Sequence, residues 1–160
     1  MKLKKVAALC KTAKRAIIFQ EWRKRADGTE VLWQQYISDG YAAYSANGLP
    51  PLRKDTLLRI FDVSEEDFEK WHVSVLDFPE NLCFEDEMDE EMEIKRFFWP
   101  IVRNGDTLRC FGTEENGMLF VEEKRLDPVG DSGWFKFYER RTDQGQPYIA
   151  VKDGFLLQAL

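Results

Sequence analysis

The sequence predicts an α+β fold, a mostly antiparallel sheet with two or three short helices, and three observations carry that prediction. Segments with the alternation and β-branched or aromatic content of strands outnumber helical ones by roughly two to one. Asp27-Gly28, Asp39-Gly40, Asn104-Gly105 and Asp153-Gly154 punctuate the chain with hairpin turn chemistry. Only the stretches near 2–14 and 54–61 show an apolar arc of helical period.

The first fifteen residues, MKLKKVAALCKTAKR, are the most two-faced stretch in the chain. At about 100° per residue, Leu3, Val6, Leu9, Cys10 and Ala13 share one arc, with Lys4, Lys11 and Arg15 opposite. AIIFQEWR (Ala16 to Arg23), EVLWQQYIS (Glu30 to Ser38) and Tyr41 to Ser45 then read as a three-stranded meander turning at Asp27-Gly28 and Asp39-Gly40. Asn47-Gly48-Leu49-Pro50-Pro51 closes the meander, since two prolines withhold two backbone donors. Lys54 to Phe61 forms a second helix that buries Leu57, Leu58, Ile60 and Phe61 and turns Arg59 outward. Ser64 caps a further helical turn rich in acids, and His72 to Phe78 alternates as a strand.

ENLCFEDEMDEEME (Glu80 to Glu93) reads as an exposed loop or frayed helix, because Glu85, Asp86, Glu87, Asp89, Glu90, Glu91 and Glu93 repel one another. It has no glycine of the kind a calcium loop turns on, so no metal site is expected there. From Ile94 the pattern is nearly all strand: Lys95 to Arg103, Thr107 to Gly112, Met118 to Glu122, Trp134 to Arg140, Tyr148 to Lys152 and Phe155 to Leu160. Pro100 requires the first of these to be bulged, split or at a sheet edge. The apolar last strand needs a partner, either the same sheet or a second copy of the chain in a homo-oligomer.

At 160 residues, with 44% hydrophobic and 14% aromatic content, the chain has the core material for a single α+β domain spanning 1–160. No apolar run is long enough to cross a bilayer, and Val6 to Leu9 is too short for a signal-peptide core, so the expectation is a cytoplasmic protein with no membrane partner. Cys10, Cys83 and Cys110, an odd number at wide spacing, fit reduced thiols better than a disulfide framework or a zinc site. Charge is polarised along the chain: net +7 over 1–60, −11 over 61–100 and −2 over 101–160. Such asymmetry suits a polyanion at the basic part or a basic partner at the acidic part.

Catalytic patterns are missing. No phosphate-binding glycine loop is present, and the one histidine, His72, has no neighbouring nucleophile in sequence, so neither an enzyme nor a cofactor is expected.

MLFVEEKRLDPV (Met118 to Val129) and GQPYIAVKDGFLLQAL (Gly145 to Leu160) resemble small uncharacterised phage and prophage proteins of gut Firmicutes. The order of elements resembles one domain of a DNA sliding clamp, in which two helices on one side of a sheet face the duplex. That resemblance implies a non-catalytic protein bound to duplex DNA without sequence readout, with Lys4, Lys11, Arg15 and Arg59 as its phosphate contacts. The alternative is an acidic interaction module or DNA mimic in which Glu85 to Glu93 occupies a basic protein's groove.

Overall fold

The computed structural model describes residues 2–79, 82–85, 91–113, 117–130, 135–152 and 157–159. Four helices and ten strands are found among them, an α+β fold in which antiparallel pairing dominates. The chain groups into two compact units, Leu3–Glu80, and Asn81–Leu160 together with Met1–Lys2.

The first unit holds helix α1 (Leu3–Ala13), strands β1 (Arg15–Lys24), β2 (Glu30–Ser38) and β3 (Ala43–Ser45), helices α2 (Lys54–Phe61) and α3 (Glu65–Phe68), and strand β4 (His72–Asp77). The β1–β2–β3 meander forms as expected, and β4 then returns to lie parallel to β1 on its far side. Helix α1 packs on β1 and β2 through Val6, Ala7, Leu9 and Cys10. Ala13, read as part of that buried arc, is exposed. The helix ends there because Lys14 adopts a left-handed φ of 48°, which breaks the helical hydrogen-bond ladder and hands the chain to β1.

The loop carrying Pro50 and Pro51 is rich in carbonyls and short of donors, and two buried glutamines answer that need. Gln35 and Gln20 lie opposite each other on β2 and β1. The Gln35 amide nitrogen reaches Leu49 O at 2.9 Å and Pro50 O at 3.1 Å, while its carbonyl oxygen accepts from Leu52 N at 3.1 Å. Gln20 Nε2 donates to Leu52 O at 3.0 Å. The loop leading into α2 is thereby pinned to the sheet, and Leu57 and Phe61 sink into the core.

The second unit has strands β5 (Met92–Arg103), β6 (Asp106–Gly112) and β7 (Met118–Glu122), helix α4 (Glu123–Leu126), and strands β8 (Lys136–Arg141), β9 (Pro147–Lys152) and β10 (Leu157–Ala159). Their order is β10-β9-β8-β5-β6-β7, antiparallel throughout. The core is Ile94, Phe111, Ile149 and Val151, capped by Leu126 of α4 and by Val129. Helix α4 had no counterpart among the elements expected from sequence. Within MLFVEEKRL the strand pattern gives way to a single turn too short to show a period.

Pro100 has the effect expected of it. Arg96 pairs with Phe111 and Pro100 with Arg109, so three residues of β5 face a single residue of β6, a bulge at 97–99. The terminal apolar segment pairs within the chain: Leu157, Gln158 and Ala159 run antiparallel to β9.

Candidate nucleic-acid interface

Helix α1 contains no acid, and its outward positions carry the cations. Lys4 and Lys11 are both exposed, two turns or about 10 Å apart along one face. Arg59 is exposed on α2, and neither Lys4 nor Arg59 makes an ion pair among the described residues. The C-terminal ends of the two helices meet, since Lys11 Nζ lies 3.4 Å from Asp62 O, the carbonyl just past α2. A lysine at that position also complements the negative ends of two helix dipoles, so Lys11 has a structural use beside any phosphate contact.

Arg15 does not belong to the stripe. Because α1 stops at Ala13 and Lys14 turns left-handed, Arg15 opens β1, and its side chain lies over Gly40 at the β2–β3 turn. A side chain on Gly40 would meet the Arg15 guanidinium nitrogen at 3.0 Å, so this approach depends on glycine there.

In place of Arg15 the fold brings two other lysines to Lys11. Lys14 and Lys70 line a depression of about 410 Å³ with Lys11, Asp62, Ser64, Asp67 and Trp71. Its charge is mixed: Lys70 Nζ is 3.1 Å from Asp67 Oδ1, and hydrogen bonds from Lys70 and Ser64 hold the Asp67 carboxyl below its ordinary range. Lys14 and Lys70 escaped the sequence reading because a helical projection cannot place residues beyond the helix end, and Lys70 lies 59 positions from Lys11.

No family model, no curated protein and no solved structure matches this chain.

Of the acidic run, Asp86, Glu87, Asp89 and Glu90 lie outside the described residues, and Glu85 is exposed. Glu91 and Glu93 are engaged internally. Arg140, whose side chain is fully buried, donates through Nε to Glu91 at 3.1 Å and through its other nitrogens to Cys83 O and Glu85 O, each at 3.0 Å. Lys152 also binds Glu91. Burial works to raise the Glu91 carboxyl, yet the hydrogen bonds from Lys152 and Arg140 prevail and hold it below the usual range. Glu93 pairs with Lys136 at 3.0 Å.

His72 does have a nucleophile nearby, contrary to the sequence reading: Ser74 Oγ is 3.2 Å from its Nε2, two residues along the exposed edge strand β4. No carboxylate orients the ring among the described residues, and no described cavity is lined by the pair. Among the described residues no three His, Cys, Asp or Glu side chains gather as a metal site requires, and no helix is long and apolar enough to cross a membrane. Cys10 is buried against Ser38 O, and burial, with the charge of Asp39, pushes its thiol up to about 12.

Proposed function

We propose that this chain is a non-catalytic, DNA-associated protein that holds duplex DNA by its phosphates through the outer face of α1, with Lys4 and Lys11 as principal contacts and Arg59 beside them. The acid-free helix carries the reading: with every charged side chain of α1 positive and exposed, a polyanion meets no repulsion along that face. Such contacts position without reading sequence. The likeness to a clamp domain belongs to this proposal, resting on the order of elements and on two helices whose C-terminal ends adjoin.

The acidic-module alternative draws less support. Two of its seven acids, Glu91 and Glu93, are engaged by cations of the same unit, which leaves less free charge for a basic partner.

Charge reversal tests the reading. Lys4→Glu, Lys11→Glu and Arg59→Glu combined should abolish binding to a random-sequence duplex, with each wild-type contact contributing about 0.9 to the slope of log affinity against log salt. Arg15→Glu should change that slope little. A wild-type protein with no salt-sensitive duplex binding at low ionic strength overturns the proposal.

A further inference from the structure

The outer face of β5–β6–β7, opposite the Ile94–Phe111 core, leaves Trp99, Ile101, Met118 and Phe120 exposed. Side chains alternate across a strand, so the β5–β6 register assigns Lys95, Ile101 and Arg103 to this face with Leu108, Cys110 and Gly112. The β6–β7 register adds Met118 and Phe120. Phe97 lies over Gly112, where an added side chain would meet its ring at 3.2 Å. Trp99 stacks on Phe97, ring centroids 5.3 Å apart and planes 18° from parallel. Trp99 is 62% exposed and Phe120 49%. Two exposed aromatics, Trp99 and Phe120, on one sheet face are an unusual surface for a chain to leave open.

The charge around this surface selects its occupant. Every described acid on or beside the face is matched: Asp106 by Lys124 at 3.2 Å, Glu122 by Lys124 and Arg125 at 3.1 and 3.0 Å, and Glu93 by Lys136. Lys95 and Arg103 are exposed and make no ion pair among the described residues. They stand opposite Gly112 and Asp106, six residues apart on β6, so the two free cations bracket the aromatics at a separation of about 20 Å. A ligand that fits must offer flat π-faces to Trp99 and Phe120 and anionic groups to Lys95 and Arg103. A second copy of this face would instead set like charges against like.

We infer that the outer face of β5–β6–β7 is a stacking platform for single-stranded nucleic acid, with unpaired bases on Trp99 and Phe120 and backbone phosphates on Lys95 and Arg103. It shares no residue with the duplex contacts on α1 and α2.

Fluorescence anisotropy with a labelled oligothymidine about 16 nucleotides long, the upper end of the site sizes of such platforms, tests it on the full chain. Wild type should bind with a salt slope to which Lys95 and Arg103 contribute about 0.7 each, and Lys95→Glu with Arg103→Glu should remove that share. Trp99→Ala and Phe120→Ala should each weaken binding roughly 5- to 100-fold. Phe120 is half exposed at the edge strand, so its variant should keep the wild-type circular dichroism spectrum. The α1 and α2 charge reversals should leave oligothymidine binding intact, whereas the β5 variants should leave duplex binding intact, so either proposal can fail alone. Absence of oligothymidine binding at low salt overturns the inference. So does a loss of binding in Lys95→Glu, Arg103→Glu with none in Trp99→Ala or Phe120→Ala. Concentration-dependent self-association abolished by Trp99→Ala, with no binding of the oligonucleotide, assigns the face to a second copy instead.

Discussion

Two buried polar residues illustrate how single side chains hold this fold. Gln35 satisfies carbonyls of a proline-rich loop that has few donors of its own, so Gln35→Leu should leave Leu49 O and Pro50 O without a donor. The cost should be about 2–4 kcal/mol, given ~1–3 kcal/mol for each buried group left unpaired, and urea denaturation measures it. Glu91 makes a pH-dependent contribution. Its carboxyl is held low in the folded state, so its stabilisation is fully present above the ordinary carboxylate pKa and is lost as pH falls through the depressed value. At neutral pH Glu91→Gln should therefore be less stable than wild type by about 2 kcal/mol, somewhat below the ~3–5 kcal/mol for removing one partner of a buried pair, because the amide still accepts a hydrogen bond. The gap should begin to close as pH falls past the ordinary carboxylate value of about 4 and vanish below the depressed one. A gap that persists at pH 2 would mean that Glu91 acts through packing rather than charge.

At the scale of elements, turns decide the hairpins. Asn104 and Gly105 both have positive φ, 52° and 87°, the two-residue geometry whose twist matches that of the flanking strands. Replacing Gly105 by alanine places a Cβ in a left-handed conformation, with open space around it, so the expected loss of about 1–2 kcal/mol is backbone strain alone. Thermal denaturation of Gly105→Ala measures it. The same backbone preference limits α1, where Lys14 is left-handed without being glycine, and this one residue moves Arg15 from the helix stripe to the sheet.

At the scale of the molecule, charge reads differently once the chain is folded. The basic excess of residues 1–60 is diluted because the compact unit Leu3–Glu80 also includes the acids that follow, giving 12 Lys+Arg and 12 Asp+Glu. Any attraction to DNA must then come from the local face of α1 and its neighbour Arg59 rather than from a net field. The salt slope for duplex binding should accordingly stay below about 3, the sum for three phosphate contacts. A steeper slope in a filter or anisotropy titration would mean that the wider set of lysines, Lys14 and Lys70 included, also engages phosphates.

Period, turn dipeptides and proline act over a few residues, so the α+β class, nearly every strand and both longer helices were legible in the sequence, while Pro100 left a bulge, a split or an edge open until the pairing register made it a bulge. The single turn of α4 was too short to leave a periodic signal. Tertiary structure decided what depends on residues far apart in the chain: that β4 runs parallel to β1, that Glu91 is claimed by Arg140 and Lys152, that Lys14 and Lys70 join Lys11 while Arg15 leaves it, and that Phe98 and Trp99 face outward. An aromatic-rich strand reads as core material in one dimension. Only the pairing register and the neighbours packed on each face distinguish a buried ring from an exposed one.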